Sequence, residues 1–302
     1  MTNIQPVNTT YEPFSREPEY IEANRGLVQR QSLDGVRHIL DLACGTGTIS
    51  ALLLEAAPQA HLNGIDYDPV QIELATKEFE ALGYEVRHGF ELTEDVINGK
   101  PVLVFAVGSA DELPFPDETF DCVTIGNAIH VMPDKAKFFK AVNRVLKKGG
   151  LFGFNSAFYA GSYPEGTERH TYEWLKEATY YIETKNARLK AEGKPIIKRK
   201  HGTTRGAFQN RWQSPQEWRD LLAKYGLDAH DVYERRVMLD ERCLAAVGAY
   251  GGLAEVVMSG YPVEQASEAL QATAGIALQR TGVDLLPRNW LEVWATKGQR
   301  VV

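Results

Sequence analysis

The residues best placed to do chemistry surround a glycine-rich turn, Asp-Leu-Ala-Cys-Gly-Thr-Gly-Thr, at residues 41–48. Gly45 and Gly47 let the backbone come close to a ligand, and free N–H groups at the start of a following helix favour an anionic group such as a carboxylate. Asp66 ends the next apolar run, about twenty residues on, where an acid can accept both hydroxyl hydrogens of a ribose. The pattern indicates a nucleoside site; a purely structural tight turn is the alternative.

Short apolar runs alternate with segments of helical period from residue 36 to residue 157. They predict strands over 36–43, 60–66, 102–107, 120–126 and 151–155, and helices over 49–57, 70–82 and 135–146. Such alternation is typical of an α/β fold, in which a doubly wound and mainly parallel sheet is covered by helices on both faces. Ligands then bind beyond the carboxyl ends of the strands, where the glycine turn and Asp66 would lie.

The pattern changes after residue 157. Residues 158–212 are aromatic and then basic, and a helix is predicted over 171–191. Ser214, Pro215 and Glu217 form a helix-start signal for a helix that ends at Lys224. A strand over 231–239, a mostly helical stretch over 240–270 and a last strand over 290–296 complete the prediction.

Composition excludes several classes of protein. Within 302 residues, 33 Lys and Arg stand against 40 Asp and Glu, and the net charge of −7 gives the whole chain no attraction to nucleic acid or anionic lipid. Cys44, Cys122 and Cys243 lie far apart, so neither a zinc site nor a disulfide framework is indicated. With no apolar stretch of about eighteen residues and no signal-peptide pattern, we expect a cytoplasmic protein without metal, nucleic-acid or membrane partners.

Three further motifs extend the pattern: Gly-Ser-Ala-Asp-Glu-Leu-Pro-Phe-Pro-Asp at 108–117, Phe-Asp-Cys-Val-Thr at 120–124 and Val-Leu-Lys-Lys-Gly-Gly at 145–150. With them the chain resembles the class I S-adenosylmethionine-dependent methyltransferases, in the small-molecule group related to quinone and sterol methyltransferases. The resemblance is strong over 36–157 and weaker over 213–239 and 288–298. It implies a seven-stranded Rossmann-like sheet with helical lid insertions, S-adenosylmethionine as cofactor and a small-molecule acceptor.

The resemblance also implies a division of the chain by role. Residues 1–35 would form a helical cap, 36–157 the cofactor-binding core, 158–212 a substrate lid, and 213–302 the rest of the core. A helical insertion at about 240–285 either completes the substrate pocket or forms a subunit interface, so a homo-oligomer stays open.

Cofactor contacts carry over from the family residue by residue. Gly45 and Gly47 would lie beneath the methionine part of the cofactor, with Asp41 helping to hold its amino group. Asp66 would bind the ribose hydroxyls, and Tyr67 would lie against adenine.

The remaining implied contacts follow the third and fourth strands. The family's usual adenine-binding Asp is replaced here by Ser109, so the adenine contact could come from Ser109, from Ala110 through its N–H, or from Asp111. Asn127 and Ala128 would face the sulfonium and the methyl group.

His130 stands near the implied position of the methyl group. Imidazole titrates near neutral pH and suits proton removal from a phenol, an enol or an ammonium. A histidine here is common in the family whatever the substrate, so packing or positioning and catalytic base both stay open. His170 and Glu173 are weaker candidates for a base.

Aromatic residues are frequent between residues 152 and 181, and in the family the segment after the fifth strand roofs the substrate pocket. An aromatic roof suits an apolar or planar substrate; a helix simply packed on the sheet is the alternative. The predicted pocket residues are Tyr20, Phe158, Tyr159, Tyr172 and Trp174. Basic residues then follow over 185–211, either to hold an anionic group of the substrate or as a solvated loop.

Two other functions compete with methyl transfer. A nicotinamide-dependent oxidoreductase also uses a glycine turn and a distal acid, but its fingerprint needs a third glycine where this chain has Ser50. A binding protein that retains the cofactor without methyl transfer is the other alternative.

Overall fold

The computed structural model describes residues 4–7, 12–200 and 212–298. The chain forms two compact units, each assembled from separate stretches. The sheet unit comprises Ile21–Ser162, Trp212–Arg235 and Trp290–Val302, and the helical unit comprises Met1–Tyr20, Tyr163–Arg211 and Arg236–Asn289. The division by role inferred from the resemblance stays a prediction.

The strands confirm the predicted α/β fold. In the described residues they are β1 (His38–Leu42), β2 (His61–Asp66), β3 (Val86–His88), β4 (Val96–Ile97), β5 (Lys100–Pro101), β6 (Leu103–Val107), β7 (Phe120–Gly126), β8 (Leu146–Ser156), β9 (Leu227–Leu239) and β10 (Leu286–Lys297). The main sheet has the order β3-β6-β2-β1-β7-β8-β10-β9, and β4 pairs separately with β5. Neighbours from β3 to β8 are parallel, whereas β10 is antiparallel to β8.

The main sheet has eight strands within the described residues, so the expected seven is wrong by one. The additional strand is β3, which pairs in parallel with β6 at the sheet edge. Its sequence, Val-Arg-His, is three residues long and nowhere fully buried. It therefore has no apolar run from which a strand could be predicted.

The helices predicted over 49–57, 70–82, 135–146, 171–191 and 215–224 are all present within a few residues of the expected bounds, whereas the stretch predicted as mostly helical to residue 270 continues in a helix that ends at Thr281. Helices of the described residues are α1 (Glu12–Ser15), α2 (Pro18–Gln29), α3 (Thr48–Ala56), α4 (Pro69–Ala81), α5 (Lys135–Val145), α6 (Glu168–Ala191), α7 (Pro215–Lys224), α8 (Glu241–Ala249), α9 (Gly251–Val257) and α10 (Val263–Thr281), with a short 3-10 helix at Ile129–Val131. In the ranges that the structure describes, no helix is long and apolar enough to cross a membrane.

Helices pack on both faces of the main sheet. Successive residues of a strand face opposite sides, so each strand contributes to both interfaces. Ile39 of β1 packs in a cluster with Leu53 of α3 and Phe79 of α4. Its neighbour Leu40 packs in a second cluster with Phe139 of α5 and Trp218 of α7. Helices therefore cover both faces of the sheet and leave the ends of the parallel strands for a ligand.

The helical unit is held together by α6 and α10. The Trp174 indole N–H donates to the Leu270 carbonyl at 2.9 Å, inside the unit. Alanines recur on the buried side of α10, at Ala266, Ala269 and Ala274. Such small side chains let a neighbouring helix pack closely.

Candidate active site

The glycine turn joins β1 to α3 at the carboxyl edge of the sheet, where the parallel strands end. Gly45 and Gly47 both have left-handed backbone conformations, with φ of +55° and +88°. A Cβ on Gly47 would lie 2.5 Å from the Phe79 ring, whereas the nearest atom to a Cβ on Gly45 would be Gln71 Oε1, at 3.9 Å. Core packing therefore requires glycine at 47, and the space beside Gly45 is open to a ligand.

Asp66 lies against the glycine turn. One carboxylate oxygen accepts the Gly45 N–H at 2.8 Å, and the other accepts the Asp68 N–H at 2.9 Å. Burial raises the pKa of the Asp66 carboxyl. Because each oxygen keeps a second lone pair, ribose hydroxyls can still donate to it. The next residue, Tyr67, is 83% exposed and offers a free ring face.

Asp41 is buried on β1 behind the turn. Its carboxylate accepts the hydroxyl of Ser50 at 2.6 Å and that of Thr124 at 3.1 Å. Burial raises the pKa of the Asp41 carboxyl to about 7, although both hydrogen bonds oppose the rise. Sequence reasoning missed both partners, and the predicted contact of Asp41 with the cofactor amino group stays a prediction.

The loop after β6 brings two of the predicted adenine-binding residues together. The Ser109 hydroxyl donates to Asp111 Oδ1 at 2.6 Å, and this bond lowers the pKa of the Asp111 carboxyl. Lys137 Nζ lies 3.5 Å from the other oxygen. Ala110 is buried in the core between them. Which of Ser109, Ala110 and Asp111 contacts the adenine stays a prediction.

A network of asparagines fixes the end of β7. Asn127 has a left-handed φ of +46°, and its N–H donates to Asn155 Oδ1 at 2.8 Å. Its own side-chain oxygen accepts the Ala157 N–H at 2.9 Å. Asn155 in turn donates to Asn24 Oδ1 at 2.8 Å, and both of these residues are fully buried. Neither Asn24 nor Asn155 was predicted from the sequence.

His130 lies in the 3-10 helix that follows this segment. Its Nδ1 is 3.3 Å from Ser156 Oγ, and its ring packs on Phe158 with centroids 4.3 Å apart. The Phe158 ring also contacts the Trp212 ring, with centroids 5.6 Å apart. Burial lowers the pKa of the His130 imidazole to about 4, and the charge of Lys135 lowers it further. His130 is thus neutral near pH 7 and packs on Phe158, which in turn contacts Trp212.

The predicted pocket residues have different environments within their own units. In the sheet unit, Tyr159 is fully buried and its hydroxyl donates to Glu234 Oε1 at 2.6 Å. In the helical unit, Trp174 is bound to Leu270, and Tyr20 is buried against Phe14. Tyr172 is 67% exposed. Tyr20, Tyr159 and Trp174 are thus all buried by contacts within their own units, and their part in a substrate pocket stays a prediction.

The two weaker base candidates are both buried in the helical unit. Burial lowers the pKa of the His170 imidazole to about 4, and its Nε2 has no hydrogen-bond partner within the described residues. Glu173 Oε2 lies 3.3 Å from Lys176 Nζ. Both belong to the helical unit, whereas His130 belongs to the sheet unit.

The basic segment is partly accounted for by contacts inside the helical unit. Lys185 Nζ lies 2.6 Å from Glu268 Oε2, and Arg199 Nε donates to the Ser259 carbonyl at 3.1 Å. Arg205 and Arg211 lie outside the described residues. The described part therefore favours a structural role over an anion-binding one.

One group of metal-ligating atoms is present in the described residues, formed by Glu17, Glu19 and Cys243 of the helical unit. Arg242 pairs with Glu17 at 2.9 Å and with Glu19 at 3.3 Å, so a protein cation already contacts both acids. Burial raises the pKa of the Cys243 thiol, which disfavours the thiolate that a metal needs. We assign no metal to this cluster.

The residues at the carboxyl edge fit a nucleoside cofactor with a charged amino-acid tail. The open side of Gly45 leaves room that any Cβ would fill, and Gln71 places a buried amide oxygen without a hydrogen-bond partner beside it. Two carboxylates, Asp41 and Asp66, provide negative charge next to the same turn. An ammonium and ribose hydroxyls are the groups that such acceptors bind.

Comparison with known proteins identifies this region. Residues 40–154 match the family described as methyltransferase domain. The Geobacillus stearothermophilus demethylmenaquinone methyltransferase is 27% identical over 185 residues, which cover 53% of this chain and 70% of that protein. The Thermus thermophilus demethylmenaquinone methyltransferase is 37% identical over 114 residues, which cover 38% of this chain and 44% of that protein.

Solved structures agree on the fold. A Bacillus halodurans protein assigned to the methyltransferases has a TM-score of 0.54 at 18% identity, covering 92% of this chain and 100% of that one. A Haemonchus contortus phosphoethanolamine N-methyltransferase was solved with phosphomonomethylethanolamine and S-adenosylhomocysteine. It has a TM-score of 0.50 at 15% identity, and the match covers 97% of this chain and 61% of that one. Over its residues 40–154, this chain is therefore similar to the class I S-adenosylmethionine-dependent methyltransferases, and among them to quinone methyltransferases.

Proposed function

We propose that this enzyme transfers the methyl group of S-adenosylmethionine to a carbon, oxygen or nitrogen of a small, partly apolar metabolite. The main support is the convergence of the glycine turn, Asp66 and the segment Asn127–His130 at the ends of three adjacent strands, β1, β2 and β7. Sites in doubly wound sheets form at this edge.

The residues of the chain have three tasks in such a reaction: to bind, to align and to exclude water. When bound, the cofactor supplies a methyl group on a positively charged sulfur. Asp66 would hold the ribose, Asp41 would attract the ammonium, and Tyr67 would cover the adenine. Asn127 and Ala128 would then lie beside the sulfur, with their backbone fixed by Asn155.

We assign His130 a positioning role in preference to a basic one. A pKa of about 4 makes the imidazole neutral at physiological pH and a weak base. A neutral imidazole can still form a hydrogen bond with a hydroxyl or carbonyl of the acceptor and so orient it. Proton removal by His130 is the alternative, and it is needed only for an acceptor atom that carries a proton.

The acceptor is proposed to be planar and partly apolar. His130, Phe158 and Trp212 form an aromatic group in the sheet unit, and such rings suit a planar substrate. The relatives named for demethylmenaquinone support a ring as the acceptor. The five predicted pocket residues, Tyr20, Phe158, Tyr159, Tyr172 and Trp174, stay candidates, and the cytoplasmic location and specialised-metabolite substrate stay predictions.

Calorimetry with S-adenosylhomocysteine, followed by a methyl-transfer screen over phenols, quinols, enols and amines, tests the proposal. We expect binding, and a methylated product from at least one ring-bearing acceptor. Binding without turnover across the whole screen would favour the rival that keeps the cofactor without methyl transfer. No binding of S-adenosylhomocysteine would refute the assignment.

A further inference from the structure

We propose that Gln71 binds the cofactor directly through its side-chain amide oxygen, an inference that rests on the proposed function. Gln71 is the third residue of α4, which begins just after Asp66 and Asp68. Its side chain is 8% exposed, and Oε1 is buried without a hydrogen-bond partner in the described part of the chain. Buried polar atoms without a partner are rare in folded proteins, and each one needs an explanation.

The position of this oxygen points to a ligand. A Cβ built on Gly45 would lie 3.9 Å from Gln71 Oε1 and would have no other neighbour within 4 Å. The oxygen therefore borders the open side of the glycine turn. Asp66, which accepts the Gly45 N–H, connects the same turn to the start of α4 through the Asp68 N–H.

The chemistry of the oxygen limits what it can bind. An amide oxygen accepts hydrogen bonds, so its partner must be a donor. The cofactor has two kinds of donor in the proposed position: the ribose hydroxyls next to Asp66, and the ammonium of the methionine part above Gly45. An unbranched apolar side chain at residue 71 would pack equally well in the empty protein, without an unpaired polar atom.

The substitution Gln71→Met separates binding from packing, because the two roles predict different results. For a ligand-binding amide, we expect the melting temperature of the ligand-free protein to stay the same or rise, since an unpaired buried oxygen is removed. We also expect the calorimetric affinity for S-adenosylhomocysteine to fall roughly tenfold, the loss of one hydrogen bond. Gln71→Glu keeps an acceptor oxygen and should retain more affinity than the Met variant.

Gln271→Met is the matched control. Gln271 is also buried, at 1% exposed against 8% for Gln71, but its amide nitrogen donates to the Gln5 carbonyl at 3.0 Å and to Ser267 Oγ at 3.1 Å. It belongs to the helical unit. The same substitution should lower the melting temperature there and leave the affinity for S-adenosylhomocysteine unchanged.

Methylthioadenosine, which keeps the ribose but lacks the amino-acid part, identifies the donor. If Gln71→Met also weakens methylthioadenosine binding, the donor is a ribose hydroxyl; if only S-adenosylhomocysteine is affected, it is the ammonium. An affinity within about twofold of the wild type, or a joint fall of melting temperature and affinity that Gln71→Glu does not rescue, overturns the inference. Failure of the wild type to bind S-adenosylhomocysteine overturns the proposed function and this inference with it.

Discussion

Two carboxylates beside the glycine turn differ in the groups they already hold. Asp66 accepts two backbone N–H groups, from Gly45 and Asp68, so it fixes the shape of the turn as well as offering charge. Asp41 accepts two side-chain hydroxyls, from Ser50 and Thr124, and lies deeper. We therefore expect the loss of either to affect cofactor binding, but through different steps.

Asp66→Ala should weaken S-adenosylhomocysteine binding about a hundredfold, because hydrogen bonds to a charged group contribute roughly 1.5–3 kcal/mol each. Calorimetry measures this directly. Asp121→Ala is the matched control, since Asp121 also accepts two backbone N–H groups, from Arg37 and His38, at the opposite end of the strands. The Asp121→Ala variant should be less stable than the wild type but should bind S-adenosylhomocysteine equally tightly. Unchanged affinity in Asp66→Ala would remove the basis of the site.

The raised pKa of the Asp41 carboxyl predicts that cofactor binding depends on pH. Its pKa of about 7 means that it is only partly ionised at neutral pH. An ammonium binds the ionised form better, so affinity for S-adenosylhomocysteine should rise as pH increases from 6 to 8, with protons released on binding. Calorimetry in buffers of different ionisation enthalpy measures that release. Asp41→Asn should abolish it, and a pH-independent affinity in the wild type would contradict the assignment.

The sequence predicted site residues that depend on local pattern and missed those that depend on tertiary contact. Gly45, Gly47 and Asp66 follow from a strand, a turn and a fixed spacing. Ser50 lies in the same motif, but its bond to Asp41 requires the helix to fold back on the strand. Asn155 is likewise an ordinary strand residue until the end of β7 lies beside it. Long-range hydrogen bonds of this kind have no sequence period.

At the scale of elements, the end of β7 is fixed by its neighbours. Asn127 adopts a left-handed backbone conformation that asparagine tolerates better than most residues. Asn155 at the end of β8 and Asn24 in α2 complete the hydrogen bonds that hold it there. The two strands and the helix together therefore set the backbone that would face the sulfonium.

Asn155→Ala should lower kcat by roughly tenfold to a hundredfold, because a small displacement of groups near the reacting atoms has effects of that size. The protein should remain folded, since the Asn127 N–H also contacts the Asn155 backbone carbonyl at 3.1 Å. Asn63→Ala is the control: Asn63 is buried in β2 and donates to the Glu91 carbonyl at 2.9 Å. The Asn63→Ala variant should be less stable than the wild type but should have the same kcat. Equal kcat in both variants would show that the asparagine network only stabilises the fold.

Strand boundaries illustrate what local patterning can and cannot define. The bounds of β7, Phe120–Gly126, agree with the prediction because the apolar residues Phe120, Cys122, Val123 and Ile125 make up most of the strand. Strand β8 begins at Leu146, five residues before the predicted start, although Lys147–Gly150 is polar and glycine-rich. Its pairing with β7 is irregular there, with Phe120 opposite Leu146 and Cys122 opposite Leu151. A bulge of this kind interrupts the alternation on which the prediction depends.

At the scale of the whole molecule, the family match and the fold divide the chain differently. Residues 40–154 match the family and lie entirely in the sheet unit. The helices α6 and α10 of the helical unit lie outside that match. We therefore expect cofactor binding to depend on the sheet unit, and the role of the predicted lid in acceptor choice stays a prediction.

Tyr172→Ala tests this division. The variant should raise the KM for the acceptor several-fold and leave the affinity for S-adenosylhomocysteine unchanged. Tyr180→Ala is the control, because Tyr180 lies on the same helix and is 65% exposed, close to the 67% of Tyr172. It should change neither quantity. An unchanged acceptor KM in Tyr172→Ala would remove Tyr172 from the predicted pocket.

Buried histidines in both units predict how stability depends on pH. Burial lowers the pKa values of His130 and His170 to about 4, below the ordinary 6.5 of an exposed imidazole. The unfolded chain then binds more protons than the folded one, so each histidine's contribution to the free energy of unfolding is lost as pH falls from 6.5 towards 4. Urea unfolding at pH 7 and pH 5 should show a smaller difference in His170→Gln than in the wild type. An equal difference in both would exclude the buried neutral form.

The helical unit is built from three stretches, Met1–Tyr20, Tyr163–Arg211 and Arg236–Asn289, that alternate along the chain with those of the sheet unit. The helical unit therefore cannot be removed as one continuous segment of the chain. To replace it with that of a relative, all three stretches would have to be exchanged together. In such an architecture, the range of acceptors should therefore change through point substitutions and changes of loop length. Exchange of one continuous segment between relatives should not be the route.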